Sequence, residues 1–353
     1  MRVLMLGPYP PMRGGISSYA GQWATRLREE GHQVVLASPE PSDANLVLDV
    51  RRRRSGVRLV RLARRCDRLI VQFQPEMLGE PDASRRNRAA ALLRLGAGMW
   101  AARSCELCIH EVDYGRGTLA PLLRFAARLV WQLADVLTVH TERERRDFAG
   151  TFRIREDKIR VVGQGAHLLR RADMDQAAAR AALGLPASEA LLLSIGFLQP
   201  HKGFDRAVRA FAELSPKHAR LYVIGSIWRE DSISMGYVEK LRRVAAETLG
   251  VELREGYLQD AEFDRWIVAA DALVLPYRRG WSSNVMERGL LFDRPVIMAR
   301  VGGMAEQGSA RPGVTLFSTG VELRDAMRRA IDEALGAHRS VSRRRSAPQV
   351  EGQ

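Results

Sequence analysis

The sequence predicts an α/β protein with two doubly wound domains, each a parallel sheet covered by helices. Short apolar runs alternate with helix-like stretches along most of the chain, and this alternation starts afresh near residue 190. A Gly-Gly pair lies in the first connection between strand and helix, where such folds place a ligand loop. The length of 353 residues suits two domains.

The first domain is predicted to span residues 1–170. It opens with a strand at 2–6, a helix at 16–30 that Gly31 ends, and a second strand at 33–37. Further strands are predicted at 57–62, 68–73, 106–110, 136–140 and 159–162, with helices near 82–103, 116–134 and 142–150.

The second domain is predicted to span residues 188–320, after a polar, alanine-rich linker at 168–188 that includes a lead-in helix. A last helix at 321–336 is expected to pack back on the first domain, and the basic tail 337–353 is expected to be disordered. Strands are predicted at 191–195, 220–224, 251–255, 272–275 and 295–299, with helices at 204–215, 235–249, 260–269 and 284–292.

Composition excludes several classes of protein. The 46% hydrophobic content is that of a globular chain, and no run of about 20 uncharged apolar residues predicts a membrane span. The N-terminus does not resemble a secretory signal, and three cysteines suit a reducing cytoplasm. The net charge of +14 is uneven: residues 1–168 carry +10, residues 169–336 carry +1 and the tail carries +3. A basic half indicates an acidic partner.

Three loops have the composition of phosphate-binding loops, although each also fits an ordinary structural role. Gly14 and Gly15 precede a helix, where backbone N–H groups approach phosphates, but a Gly-Gly pair is often only a turn. Lys202 follows a strand and a Pro-containing loop, where it would meet a diphosphate or lie in solvent. Ser282 and Ser283 precede a helix near 284, whose first N–H groups would hold an anion or simply be capped.

Histidines and cysteines give weaker signals. His110 ends a strand, a position that suits a site or a satisfied core histidine, whereas His140 and His167 are interpreted as structural. Cys105 and Cys108 form a Cys-x-x-Cys pair without the second pair that a zinc site of this type needs, so we interpret them as small residues in a strand and expect no metal site.

Arginines are concentrated in the first domain. They occur throughout 51–68 and again in 82–103, where Leu92, Leu93, Leu95, Met99 and Trp100 accompany them. A basic helix with an apolar face can lie on an anionic membrane, although a solvated arginine-rich face would look the same. The arginines are Arg51, Arg52, Arg53, Arg54, Arg58, Arg61, Arg64, Arg65, Arg68, Arg85, Arg86, Arg88 and Arg94.

These motifs, taken in order, resemble the retaining glycosyltransferases of family 4, also called glycosyltransferase group 1, which have the GT-B fold. The resemblance covers nearly the whole chain and implies two Rossmann-like domains facing across a cleft. The matching segments are 14–16, 31–34, His110, 134–142, 161–165, 196–203, 270–277, 295–297 and 301–303.

The resemblance implies a nucleotide-sugar donor, UDP- or GDP-linked, as substrate, and neither a cofactor nor a metal. Lys202 and the N–H groups of Ser283, Asn284 and Val285 would hold the diphosphate, and Gly14 and Gly15 would face the phosphates. Further roles implied by the family are His110 at the sugar, Gly256 and Tyr257 near the base and Glu287 at the ribose, with Ser282 in the same loop.

Two departures from the family pattern concern the donor site. The arginine that the family usually carries five residues before the lysine is replaced by Phe197, and of the usual glutamate pair only Glu287 is present, one residue out of register. We hypothesise that Arg279 or Arg288 replaces the missing arginine at the diphosphate.

The sequence therefore predicts a hexosyltransferase that acts on a glycan or lipid-linked acceptor in cell-surface polysaccharide or glycolipid biosynthesis. It is expected in the cytoplasm, peripheral at the inner face of the plasma membrane through its arginines. The alternative is a non-catalytic GT-B homologue that binds glycan or scaffolds a partner enzyme. No nucleic-acid recognition module accompanies the basic charge, so nucleic acid is not an expected partner.

Overall fold

A computed structural model describes residues 1–79, 83–110, 121–228, 230–309 and 311–346. The chain divides into two compact units, one spanning Met1–Leu169 and one beginning at Arg170. Each unit is a parallel sheet with helices, which confirms the predicted fold class. The boundary lies one residue from the predicted end of the first domain.

The first domain is built on a seven-stranded parallel sheet. Its strands are β1 (Arg2–Leu6), β2 (Gln33–Ser38), β3 (Leu46–Val47), β4 (Arg68–Phe73), β5 (Cys105–Ile109), β6 (Val136–Val139) and β7 (Ile159–Val161). The sheet order is β3-β2-β1-β4-β5-β6-β7. The order reverses between β1 and β4, so the loops after these two strands border the crevice where doubly wound sheets bind ligands. The helices of this domain are α1 (Gly15–Glu29), α2 (Ser55–Ala63), α3 (Arg85–Ala101), α4 (Pro121–Trp131) and α5 (Glu142–Phe152).

The strand predicted at 57–62 is wrong, because this segment is helix α2. Leu59 and Ala63 are buried four residues apart, which is the spacing of one helix face, while Val57 is exposed. Leu59 packs so closely on α3 that a Cβ at Gly98 would collide with it. The burial pattern that distinguishes the helix is therefore set by α3, which is distant in the sequence.

The second domain is built on a six-stranded parallel sheet. Its strands are β8 (Ala190–Ile195), β9 (Ala219–Gly225), β10 (Val251–Glu255), β11 (Ala272–Leu275), β12 (Val296–Ala299) and β13 (Val314–Phe317). They lie in the order β10-β9-β8-β11-β12-β13, so the reversal falls between β8 and β11. The helices are α6 (Gln176–Leu183), α7 (Phe204–Leu214), α8 (Ser232–Ala246), α9 (Asp260–Ala269), α10 (Asn284–Leu291), α11 (Gly302–Ser309) and α12 (Gly320–Ser346). The sequence did not predict β3, β13 or α11.

The segment predicted as a linker is part of the second domain. It contains α6, in which Arg180 is buried and donates to Asp271 at 2.7 Å and to the Ala269 carbonyl oxygen at 2.9 Å. These partners lie about ninety residues away in the sequence, and α6 is the lead-in helix that the sequence predicts within this segment.

The last helix packs within its own domain. Leu323, Met327 and Ile331 of α12 are buried in the core of the second domain, where the helix packs on α7 and β8. That it also packs back on the first domain stays a prediction. Much of the tail predicted to be disordered continues this helix to Ser346. Residues 347–353 lie outside the described chain.

Candidate functional site

The loops after β8 and β11 meet at the reversal of strand order in the second sheet. The backbone N–H of Arg278 donates to the His201 carbonyl oxygen at 2.7 Å, and its Nη1 donates to the Pro200 carbonyl oxygen at 2.8 Å. Arg278 also pairs with Asp205, which is fully buried, at 2.7 Å. Burial by itself would raise the pKa of Asp205, but the bond and charge of Arg278 lower it, so Asp205 is charged and anchors both loops.

Gly203 lets these two loops approach each other. It ends the short 3-10 turn Pro200–Lys202 in the left-handed conformation, at φ 65°. A Cβ at this position would collide with the Pro276 carbonyl oxygen, so the site requires glycine for both its conformation and its space. This contact fixes the position of the preceding residue, Lys202.

Lys202 lies where the sequence predicted it, between β8 and α7. Its Nζ is 4.0 Å from the centre of the Tyr277 ring, a cation–π contact. No described carboxylate pairs with it, so its charge is available to an anion. Burial, together with the charges of Lys202 and Arg279, lowers the pKa of neighbouring His201 to about 4, so His201 is neutral at pH 7.

Helix α10 begins at the same loop. Ser283 caps it and accepts from the Met286 N–H at 3.2 Å, as predicted, while its own N–H donates to Gln307. The N–H groups of Asn284 and Val285 lie in the first turn, where an α-helix offers no internal acceptor. Ser282 precedes the cap and is half-buried. The helix start therefore has two N–H groups that suit an anion.

Glu287 is buried one turn into α10. Its two carboxylate oxygens accept from Gln307 Nε2 at 3.1 Å and from Arg311 Nη2 at 2.8 Å. The carboxylate is therefore held in place by α11 and the segment after it. A ribose hydroxyl would have to share these oxygens.

The two arginines proposed as substitutes differ in their surroundings. Arg288 is buried, donates from Nε to Asp264 at 2.8 Å and stacks over Phe263. The hypothesis that it holds the diphosphate is therefore wrong, because its charge is already neutralised inside the domain. Arg279 is exposed, and its charge acts on His201, so it remains the candidate.

The position of the family's arginine and the residues predicted near the base lie in the loops after β8 and β10. Phe197, which replaces the family's arginine, packs edge-on against Trp228 with ring centres 4.6 Å apart. Gly256 is exposed and its N–H donates to the Gly225 carbonyl oxygen at 2.8 Å, and the next residue, Tyr257, is half-buried. Both loops follow strands of the half of the sheet that contains β8.

In the first domain, Gly14 and Gly15 occupy the predicted connection after β1. Gly14 is the N-cap residue of α1 at φ 146°, a conformation that favours glycine. Gly15 is exposed, and a Cβ there would contact nothing among the described atoms. The connection therefore leaves open space at the helix start, as a phosphate-facing loop requires.

His110 lies at the end of β5 in a buried cluster of histidines. Its Nε2 is 2.7 Å from Gln72 Oε1, and its Nδ1 is 3.2 Å from His140 Nε2. The Tyr19 ring packs edge-on against His110, His140 and His167 at 5.1–5.6 Å. Both ring nitrogens of His110 are thus engaged inside the domain. Glu111 and the residues up to 120 lie outside the described chain.

Sequence reasoning missed several residues that build these sites. Gln72, Asp205 and Arg206 were not singled out, although Arg206 donates to the Pro276 and Tyr277 carbonyl oxygens at 3.1 and 3.2 Å. Each is an ordinary polar residue on a strand or helix. Their roles depend on partners at least 32 residues away in sequence.

The histidine cluster predicts acid sensitivity. Burial lowers the pKa of His140 to about 4, and burial aided by nearby charges lowers that of His167 to about 4. The unfolded chain therefore binds more protons between pH 6.5 and 4, so stability falls as pH is lowered through this window, by about 1.4 kcal/mol per pH unit for each histidine. In thermal melts in the presence of EDTA, the melting temperature of His140→Gln should fall less steeply than that of the wild type as the pH is lowered. The exposed control His218→Gln should follow the wild type. Parallel curves for all three proteins would contradict this.

Comparison with known proteins agrees with the resemblance. Residues 14–165 match the glycosyl transferase 4-like domain, and residues 189–335 match the glycosyl transferases group 1 domain. Together the two matches cover most of both units. The chain belongs to the family 4 glycosyltransferases.

Several curated relatives of this family 4 chain are named D-inositol 3-phosphate glycosyltransferase. The D-inositol 3-phosphate glycosyltransferase of Acidothermus cellulolyticus is 33% identical over 180 residues, which are 48% of this chain and 39% of the relative. That of Mycobacterium tuberculosis strain H37Ra is 30% identical over 204 residues, 57% of this chain and 41% of the relative. The matched segments thus span about two fifths of these relatives.

Solved structures show the GT-B fold over nearly the whole chain. HepE of Anabaena in complex with UDP has a TM-score of 0.72 at 15% identity, covering 98% of this chain and 95% of that one. WaaG, a glycosyltransferase involved in lipopolysaccharide biosynthesis, has a TM-score of 0.62 at 16% identity, covering 99% and 96%. At these identities the similarity establishes the fold of this family 4 chain.

Proposed function

We propose that the protein transfers a hexose, with retained anomeric configuration and without a metal in the reaction, from a UDP- or GDP-linked sugar to an acceptor. One observation carries the proposal: Lys202, held over Tyr277 and unpaired with any described carboxylate, lies at the reversal point of the second sheet. A nucleotide diphosphate is the leaving group that such a cation stabilises.

The donor site is assigned from the loops of the second domain. Lys202 and the free N–H groups of Asn284 and Val285 stabilise the negative charge that develops on the diphosphate, and Arg279 supplies the cation that Phe197 does not. Glu287 binds the ribose by sharing the oxygens that Gln307 and Arg311 already hold. Gly256 and Tyr257 border the base, and Ser282 and Ser283 shape the loop.

In the first domain we assign the loop of Gly14 and Gly15 to the phosphates and His110 to the sugar. Since both nitrogens of His110 are engaged by Gln72 and His140, it acts as a positioning residue. The acceptor is a glycan or a lipid-linked sugar of cell-surface polysaccharide or glycolipid biosynthesis. The curated relatives are named for D-inositol 3-phosphate, so this compound is included among the acceptors to be tested.

The donor assignment is tested with UDP-, GDP- and ADP-sugars. The purified protein should release nucleotide from one of them, faster with an acceptor present, and should melt at a higher temperature with the matching nucleotide. Neither turnover nor binding with any of these donors would refute the assignment.

The proposed membrane contact is supported by exposed apolar and basic side chains of the first domain. No helix among the described residues is long and apolar enough to cross a bilayer. However, Leu93 and Trp100 are 67% and 71% exposed on one face of α3, and Phe125 and Leu129 are at least half exposed on neighbouring α4. Exposed arginines lie in the same group of helices, including Arg53, Arg54, Arg61, Arg64, Arg65, Arg85 and Arg86. Exposed apolar side chains and cations in one group of helices suit an anionic lipid surface.

Replacing Leu93 and Trp100 together by Ser should lower binding to phosphatidylglycerol-containing vesicles about 10- to 100-fold, because both side chains lose their burial in the interface. The control is Leu249→Ser, which removes an exposed leucine from the second domain. Vesicle flotation or surface plasmon resonance measures the binding at two salt concentrations. Equal losses in both variants, or no binding by the wild type, would refute the membrane contact.

A second candidate, the non-catalytic homologue, is favoured by Phe197 in place of the clamp arginine and by the burial of Glu287 against Arg311. Nucleotide discriminates the two functions. A competent donor site raises the melting temperature with UDP or GDP, whereas a glycan-binding scaffold is stabilised by oligosaccharide alone.

A further inference from the structure

Three metal-ligating side chains converge at the carboxyl ends of β5 and β6. The ligand atoms of Cys108, His110 and His140 all lie within 4.8 Å of one another, and all three residues are buried. Cys108 and His110 share one face of β5, whereas Cys105 packs into the core on the opposite face. The cluster therefore contains only one cysteine of the Cys-x-x-Cys pair.

The hydrogen bonds of His140 define which nitrogen is free. Its Nδ1 is 3.0 Å from the Val162 carbonyl oxygen, which can only accept, so Nδ1 carries the proton. The Nε2 atom of His140 is therefore a lone-pair donor, and it points at His110.

His110 mirrors this arrangement. Its Nε2 lies 2.7 Å from Gln72 Oε1 and donates to it, which leaves a lone pair on Nδ1. The two lone-pair nitrogens, His110 Nδ1 and His140 Nε2, then face each other at 3.2 Å with the Cys108 thiol beside them. Two acceptors at this distance need a cation or a shared proton between them.

The separation of the two histidine nitrogens suits a tetrahedral zinc ion. Zn–N bonds of 2.0–2.1 Å at tetrahedral angles put two nitrogens about 3.3 Å apart, close to the 3.2 Å found here. The buried Tyr19 hydroxyl lies against Cys108 and has no well-formed hydrogen bond to a described residue. Each histidine also has the outer-shell acceptor, a carbonyl or amide oxygen, that metal-bound histidines usually have.

We propose that Cys108, His110 and His140 bind one zinc ion, with the Tyr19 hydroxyl or a water molecule as fourth ligand. A thiolate and two imidazoles are ligands that zinc prefers, and binding releases the thiol proton of Cys108. The ion ties β5 to β6 and fixes the ring of His110. It takes no part in the proposed transfer reaction, although it shares His110 with the sugar site proposed above.

The competing arrangement contains no metal. If the amide of Gln72 is reversed, its Nε2 donates to His110, His110 donates from Nδ1 to His140, and His140 donates to Val162. Every ring nitrogen is then satisfied by hydrogen bonds alone. The two arrangements differ in what position 72 must supply: an acceptor for the zinc site, a donor for the hydrogen-bond chain.

The experiment uses the full chain, stripped with EDTA and titrated with Zn²⁺ and with Co²⁺ as a spectroscopic probe. We expect one ion per chain, a sulfur-to-cobalt charge-transfer band, release of one proton and a higher melting temperature. Cys108→Ser should abolish the band, while Cys105→Ser, a buried cysteine of the same strand, should retain it. No stoichiometric metal in the wild type, or the same band in both variants, would overturn the proposal.

Position 72 supplies a second, conservative test that does not remove a ligand. Gln72→Glu keeps an acceptor for His110 and should retain zinc affinity, whereas Gln72→Leu should weaken it about 10- to 100-fold. If the cluster contains no metal, the two variants should instead behave alike. Gln72→Glu then removes the donor to His110 and destabilises the domain as Gln72→Leu does. Equal zinc affinity in both variants would overturn the ligand assignment even if Cys108→Ser does not fold.

Discussion

Replacing Lys202 by Ala is expected to lower kcat/KM for the sugar donor by about 10²- to 10³-fold, the usual cost of removing one group that stabilises the leaving charge. Its ammonium is held 4.0 Å from the Tyr277 ring and pairs with no described carboxylate, so its charge is available to the diphosphate. Lys202→Arg should recover part of the loss, because the charge is kept while its position changes.

The matched control is Lys217→Ala, an exposed lysine of the same domain that follows α7. Nucleotide release and the rise in melting temperature with UDP or GDP measure turnover and binding separately. Lys217→Ala should equal the wild type in both measurements. Wild-type turnover in Lys202→Ala would remove the basis of the donor site proposed here.

Replacing Arg288 by Ala is expected to lower the free energy of unfolding by about 3–5 kcal/mol. Asp264 is fully buried, and its pKa is already raised by burial despite the opposing charge of Arg288. Removing the arginine leaves that carboxylate without its main counter-charge. The Phe263 ring also loses the guanidinium stacked on it at 4.5 Å.

Urea denaturation measures this loss, and Arg279→Ala is the control because Arg279 is exposed. The deficit of Arg288→Ala should shrink as the pH is lowered, since a protonated Asp264 carries no unpaired charge. Arg279→Ala should instead keep wild-type stability and bind the nucleotide diphosphate more weakly. An Arg288→Ala variant of normal stability with poor donor binding would restore the rejected hypothesis that Arg288 holds the diphosphate.

The order of strands and helices was largely predictable because the parallel strands are short continuous apolar runs separated by glycines. The strands from β8 to β12 were each located within one or two residues. Helix α2 was not, since Val57, Val60 and Leu62 suit either structure and only packing on α3 decides which face of the segment is buried. The edge strands β3 and β13 were missed because their residues are mostly half-buried or exposed.

The candidate site was predictable where loop composition reflects chemistry. Gly14, Lys202 and Ser283 were found because glycine, lysine and serine at the start of a helix have a local physical meaning. Arg288 was misjudged because a charged residue on a helix gives no local sign of which side chain lies beside it. The grouping of Cys108 with His110 and His140 was not predictable for the same reason, because the three residues come from the ends of two strands.

The sequence by itself determined that this protein has two parallel-sheet domains of family 4, and it located a lysine before one helix and a serine cap at the start of another. These features depend on periodicity, on glycine and on helix caps, which act between near neighbours in the chain. Only the tertiary structure decided which charges are free and which are neutralised. Lys202 pairs with no described carboxylate, whereas Arg288 pairs with Asp264, because packing between elements distant in the sequence brings Asp264 beside Arg288.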